Sequence, residues 1–213
     1  MTALQIVRKH LAESAAVKLQ LADSDAATSI VEAARRLVDC VARGGKIMLC
    51  GNGGSAMDSQ HIAAEFTNRL RSSKERPGIP ALALTADTAF LTARGNDYGF
   101  DDVFERLVDT LGHSPDALIA ISTSGTSRNI VRAVVRAREK AIFTIGLLGG
   151  TGGVLARKVD LPVIVPSASV QHIQESHIAI GHILCELVEE SLYGSDLTDV
   201  IERVVPSEIE TVK

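Results

Sequence analysis

The sequence predicts an α/β protein: a three-layer sandwich in which helices cover both faces of a five-stranded parallel sheet. Three observations carry this expectation. Short apolar runs of strand length alternate with stretches of helical period, which is the rhythm of βαβ units, and parallel strands joined in that way are buried on both faces. Two of the runs end in loops of small residues, Gly51-Asn52-Gly53-Gly54-Ser55 and Ser122-Thr123-Ser124-Gly125-Thr126-Ser127, each opening a helix. Hydrophobic residues make up 46% of the 213-residue chain but aromatics only 3%, with no Trp, so the core must be aliphatic and Ala-rich.

Taken in order, residues 2–43 place Leu4, Val7 and Leu11, then Ile30, Val31, Ala34, Leu37, Val38 and Val41, at helical spacing around the polar break Asp23-Ser24-Asp25. This predicts a helical hairpin ahead of the first strand, whose first helix has little sheet to cover and is expected to pack on another subunit. Ile47 to Cys50 reads as a strand, bounded by glycines. Pro80 to Thr85 reads as the second strand, Arg94 to Gly99 as a turn-rich loop, and Phe100 to Leu111 as a helix. Ala117 to Ile121, Ile142 to Leu147 and Leu161 to Val165 complete the sheet, with a helix reaching about Lys140 and a short Gly-rich turn and helix over 149–158. A last helix, Val170 to Tyr193, is apolar on too many sides for a surface helix. One domain over 1–194 is expected, followed by a loosely attached tail over 195–213 that carries Pro206 and several acids.

Ligands of parallel α/β sheets bind at the carboxyl ends of the strands, where both small-residue loops must lie. In the first loop the glycines let backbone approach a ligand closely, and Ser55 is placed to cap the helix that follows. That helix carries His61 and Glu65 at i and i+4, on one face, among Ile62, Ala63, Ala64 and Phe66, so both are expected against protein or a cleft. The second loop offers several hydroxyls at a helix N-terminus, more than a cap uses, which suits a phosphate. Each feature also has a plain alternative: a tight connection, a solvated pair, an ordinary N-cap. Gly51-x-Gly53-x-x-Ala56 fits a loose dinucleotide fingerprint, but the acid such a site needs is missing at the required distance, since Asp87 lies too far along.

Composition excludes other classes. The net charge of −4 and scattered Lys and Arg leave no footprint for nucleic acid. Cys40, Cys50 and Cys185 are odd in number, far apart and within apolar segments, the pattern of buried thiols in a reducing compartment. No run approaches the length needed to span a bilayer and the N-terminus lacks a leader pattern, so a cytoplasmic protein without membrane contact is expected.

CGNGGS at 50–55, HIAAEF at 61–66, GNDYGF at 95–100, ISTSGTSRN at 121–129 and IQESHIAIGH at 173–182, in this order and spacing, resemble the sugar-isomerase (SIS) domain. Within it they are most similar to the phosphoheptose isomerases, from the hairpin to about Glu190. The resemblance implies a flavodoxin-like strand order, and an aldose–ketose isomerase that converts sedoheptulose 7-phosphate to D-glycero-D-manno-heptose 7-phosphate for nucleotide-activated heptose and surface-glycan or lipopolysaccharide synthesis. It further implies a homo-oligomer, expected as a tetramer of dihedral symmetry, with one divalent ion per subunit, zinc being favoured. Carried over by position, Asn52, Gly53, Gly54, Ser55, Glu65, Asn96, Asp97, Ser122, Thr123, Ser124, Ser127 and Gln174 would contact the sugar phosphate. His61, Glu65, Gln174 and His182 would form the metal site, with Glu65 and His182 catalytic.

Chemistry agrees with the resemblance, because moving a proton between C1 and C2 through an enediol needs a carboxylate base, a group that shuttles a proton between two oxygens, and a means of polarising the carbonyl. Gln174 and His182 are little more than two turns apart and can converge, whereas His177 sits about 140° from His182 around the helix and reads as structural. His10, His113 and His172 read as structural or surface groups. His172 stands where the family often has Arg. Two relatives of the same fold lack this chemistry: a scaffold that binds the replication initiator, and a sugar-phosphate-sensing module that needs only the loops.

Overall fold

Strand order decides where a site can form. In the computed structural model, described for residues 1–73 and 75–194, five parallel strands lie in the order β2-β1-β3-β4-β5. They are β1 (Ile47–Gly51), β2 (Ala81–Ala83), β3 (Ala117–Ser122), β4 (Phe143–Gly149) and β5 (Leu161–Val165). The chain leaves β1 toward one edge, returns to β3 on the other side of β1, and continues outward. The crevice between the carboxyl ends of β1 and β3 is therefore the switch point at which open α/β sheets bind ligands.

Alternation along the strands divides the core into two layers. Ile47, Leu49, Ile119, Ile121, Ile145, Leu147, Val163 and Val165 face α2 (Asp25–Ala42), α3 (Gly54–Thr67) and α7 (Val170–Tyr193), where Leu37, Ile62, Phe66, Ile180 and Leu184 meet them. Met48, Cys50, Leu118, Ala120 and Leu148 face the opposite way, onto α5 (Val103–Leu111) and α6 (Arg128–Glu139), against Phe104, Val108, Ile130 and Val134. Side chains of this size each contribute roughly 1.5–3 kcal/mol when fully buried. The expected sandwich and the bounds expected for α7 are both found.

The hairpin is also present. α1 (Ala3–Ala22) starts from a capping box in which the Thr2 side chain accepts from the Gln5 amide, and Ser24 accepts from Ala26 at the start of α2. In α1 only Ser14 and Leu21 are buried, while Leu4, Ile6, Val7, Leu11 and Leu19 are all more than half exposed. All three cysteines are free and buried, and burial pushes the Cys50 thiol up to about 12 and that of Cys40 to about 11.

Two local expectations are corrected. Residues 94–98 are not a loop but the end of α4 (Thr88–Tyr98), because the Asp87 side chain accepts from Phe90 N and starts a helix that runs until Gly99, at φ 91°, turns it off. Ser55 does not cap α3. Gly53, at φ 55°, already turns the chain there, which puts Ser55 in the first turn, 5% exposed, with its carbonyl accepting from the Ser59 hydroxyl. The tail expected over 195–213 lies outside the described residues.

Candidate active site

Two helices begin at the switch point, and in neither does the cap residue itself close the first turn with its side chain. Gly53 at the start of α3 and Ser127 at the start of α6 make no side-chain cap bond. The Ser55 and Ala56 amides already donate to Asn52 O and Gly53 O, and the Ile130 amide donates to Asn129 Oδ1, which leaves the earliest amides, those of Gly54, Arg128 and Asn129, as donors for an anion, aided by the helix dipole. Asn52 and Asn129 hold the two starts together through reciprocal amide bonds, Asn52 Nδ2 to Asn129 Oδ1 and Asn129 Nδ2 to Asn52 Oδ1, both 2.9 Å. Asn129, 4% exposed, belongs to a motif noted in the sequence, but its role as a latch was not anticipated.

The serine loop is shaped by backbone as much as by hydroxyls. Gly125, at φ 65°, is pressed so closely on the 150–153 turn that a Cβ there would lie 2.0 Å from Gly152 O. Ser122 Oγ accepts from Gly125 N at 3.1 Å and lies 3.3 Å from Ser127 Oγ, and Ser124 Oγ accepts from the amide and hydroxyl of Thr126. Thr123 is half-buried beside them. Asn96 and Asp97, expected at the sugar, are exposed on the last turn of α4, where Asn96 Nδ2 donates to Asp97 Oδ1 at 2.9 Å.

On the other side of the glycine loop, α3 and α7 bring together residues far apart in sequence. His61 Nε2 lies 3.0 Å from His182 Nε2 and 3.4 Å from Glu65 Oε1, and one ligand atom from each of the three falls within 4.8 Å of the others. With both rings neutral one Nε2 donates to the other; a cation would draw a lone pair from each. Two imidazole nitrogens and a carboxylate oxygen form a donor set that suits zinc, so the residues present fit such an ion. The His61 side chain is half exposed, at 50%, because only the side of α3 that carries Ile62, Ala63 and Phe66 meets the sheet and α7, whereas Glu65 is more sheltered at 22%.

Gln174 is not in direct contact with this group. Its Nε2 donates to both oxygens of Asp58, at 3.1 and 3.3 Å, and its side chain lies against Gly54. Asp58 is buried one turn before His61 and needs a donor there. Burial raises its carboxyl above the usual range, against the opposing pull of the Gln174 bond. With its nitrogen on Asp58, and an amide nitrogen having no lone pair to give, Gln174 can offer a cation only its Oε1. Asp58 carried no sequence signal beyond its helical spacing to Glu65.

A glycine sets how closely the helices approach. At Gly181 a Cβ would sit 2.4 Å from Ile62 Cδ1, so the absence of a side chain lets α7 close on α3 beside His182. His177 points away, fully buried, with Nε2 3.1 Å from Leu148 O, and burial lowers its pKa to about 4. It is structural, as expected. His10 bonds Glu175 at 3.1 Å and packs edge-on against buried His172 at 4.7 Å, fastening α1 to α7, and His113 lies near Asp116 at the far end of the sheet.

Comparison with known proteins agrees with this geometry. Residues 10–149 match the family model described as the SIS domain. The chain is 46% identical over 195 residues to a phosphoheptose isomerase of Aneurinibacillus thermoaerophilus, covering 91% of this chain and 98% of that one. It is 48% identical over 189 residues to one of Chlorobaculum tepidum, covering 88% and 90%. A solved phosphoheptose isomerase from Francisella tularensis superposes with a TM-score of 0.85 at 38% identity, over 89% of this chain and all of that one. Matches of this extent and identity, on a fold whose two loops and helix-borne triad sit where the motifs require, show that the chain belongs to the SIS-domain family and, within it, to the phosphoheptose isomerases.

Proposed function

We propose that the protein interconverts sedoheptulose 7-phosphate and D-glycero-D-manno-heptose 7-phosphate. The observation that carries this is the meeting of His61 and Glu65 with His182, 121 residues beyond His61, across the α3–α7 contact, alongside the loops that open two helices. A scaffold or a sensor would need the loops but not this triad.

In the ketose-to-aldose direction Glu65 takes a proton from C1 and, through the enediol, returns it at C2. His182 moves a proton from the C1 hydroxyl to the C2 oxygen, which turns the carbonyl into a hydroxyl and the hydroxyl into the new carbonyl. The Ser122–Ser127 hydroxyls and the first amides of α6 hold the phosphate, while Asn52, Gly53, Gly54, Ser55, Asn96 and Asp97 line the sugar. A zinc ion held by His61, Glu65, His182 and the Oε1 of Gln174 would supply Lewis acidity to polarise the carbonyl.

A homo-oligomer is supported by the exposed apolar residues of α1 and by an apolar groove of about 460 Å³ between α1, α2 and α7, lined by Leu21, Ile30, Val31, Ile180, Ile183 and Leu187. A tetramer of dihedral symmetry would cover both. No described helix is long and apolar enough to cross a membrane, which is consistent with the cytoplasm as its place. The product would serve nucleotide-activated heptose and surface-glycan synthesis.

The test is Glu65→Gln, which keeps the shape and an oxygen donor for zinc but removes the base, with zinc content measured alongside to confirm that the ion is kept. Turnover should fall by roughly 10² to 10⁴, the usual contribution of a general base, with sugar-phosphate binding largely kept. Wild-type turnover in the variant, or a wild-type protein that binds the sugar but never exchanges its carbon-bound hydrogen with deuterium, would overturn the reading.

A further inference from the structure

Behind the triad lies a second charged assembly. Arg76, in the irregular segment between α3 and β2, pairs with Glu189 of α7, Nε to Oε2 at 2.6 Å, and the two side chains are 1% and 0% exposed. The rest of the guanidinium is spent on backbone. Nη2 donates to Glu65 O at 2.9 Å, and Nη1 donates to Phe66 O at 2.9 Å and to Pro77 O at 3.0 Å.

The Glu65 carbonyl has Arg76 as its donor, whereas the Phe66 carbonyl accepts both from Arg76 and from Ile79 N, at 3.0 Å. α3 stops at Thr67, and the last in-helix bond there runs from Asn68 N to Ala64 O, so the Glu65 and Phe66 carbonyls fall among those that a helix end leaves without intrahelical partners, and among the described residues Glu65 O is the one that Arg76 alone supplies. A cation at that end also complements the helix dipole. On α7, Glu189 follows His182 by seven residues, about 20° from the same line along the helix. One guanidinium thus joins the residue that bears the proposed base to the helix face that bears the proposed shuttle.

We propose that Arg76, held by Glu189, is a positioning residue for Glu65: it fixes the end of α3 against α7 and thereby sets the distance between Glu65, His61 and His182. Stability alone does not account for the pair. Buried ion pairs gain little over apolar residues of the same volume, and here Glu189 Oε1 is buried without a partner among the described residues. What the pair supplies, and apolar residues cannot, is a rigid fork of donors aimed at the Glu65 and Phe66 carbonyls. The inference rests on the isomerase reading for its kinetic consequence, but its geometric consequence, the ligand spacing of the triad, does not.

The double variant Arg76→Met/Glu189→Leu removes both charges without leaving one buried alone. Arg76→Lys keeps the charge opposite Glu189 and with it the fold, but an ammonium cannot span the carboxylate and both carbonyls. Zinc affinity, measured by chelator competition, should weaken by about 10- to 100-fold in the double variant, the range typical when groups that orient metal ligands are lost. It should weaken less in Arg76→Lys. For sedoheptulose 7-phosphate kcat should fall by a similar factor while KM stays within about twofold, because the phosphate loop is untouched. Unchanged zinc affinity and kcat in Arg76→Lys, or a loss confined to KM, would reduce the pair to packing. A wild-type protein without turnover would sink the isomerase reading and leave the zinc comparison, which needs no sugar, to decide the role of Arg76.

Discussion

His177 makes a stability prediction with a definite sign. Its Nε2–H donates to Leu148 O, which leaves Nδ1 as the bare nitrogen, and Nδ1 is buried with no partner among the described residues. Protonation would place a second N–H and a charge in that apolar space, so the native protein holds the ring neutral, with its pKa lowered from 6.5 to about 4. The unfolded chain has no such restraint and takes up the proton near 6.5. Stability from this site is therefore complete above pH 6.5, declines as the pH falls and levels off below about 4, with a total change of roughly 3 kcal/mol. Between pH 7.5 and 5.5 the linkage relation gives about 1.3 kcal/mol. His177→Leu removes the titration. Its lost bond to Leu148, worth about 1 kcal/mol, is absent at both pH values and cancels in the difference. Urea denaturation of both proteins at the two pH values and one protein concentration reads the effect, with the wild type losing about 1.3 kcal/mol more than the variant. Equal losses would show that His177 is protonated in the fold, and the reasoning would fail.

Four further outcomes are expected. Gly181→Ala should lower the melting temperature, because overpacking against Ile62 costs about 1–3 kcal/mol and helix propensity returns only about 1, and it should weaken the His61–His182 contact; an equal or higher melting temperature would show that α7 has room to spare. Sedoheptulose without its phosphate should bind at least about a hundredfold more weakly, since two or more charge-assisted hydrogen bonds are lost; comparable affinities, read by calorimetry, would remove the phosphate role from residues 122–127. Protein purified without chelators should contain about one zinc per chain, and its removal should lower turnover; elemental analysis finding none, with turnover unaffected by a chelator, would discard the ion. Light scattering should show a tetramer at micromolar concentration, and a monomer would contradict the partnered α1 face.

The sequence by itself determined the features that depend on near neighbours. Strand and helix alternation, the hairpin ahead of β1, both small-residue loops, the full extent of α7 and the shared face of His61 and Glu65 follow from period, caps and glycines within a turn or two. Where local signals competed, the reading went astray. Gly95, Asn96 and Gly99 suggested a loop, but the Asp87 cap carried α4 through the first two. At the glycine loop the positive φ of Gly53 made Ser55 unnecessary as a cap. Only the tertiary structure decided what meets across the fold. The gap between β1 and β3 makes neighbours of Asn52 and Asn129, and the closeness that Gly181 permits brings His182 to His61. Asp58 takes up the nitrogen of Gln174, and Arg76 closes the end of α3. Such contacts span from about ten to more than a hundred residues and leave no periodic trace, because a buried polar group is satisfied by whichever chain segment packing delivers to it.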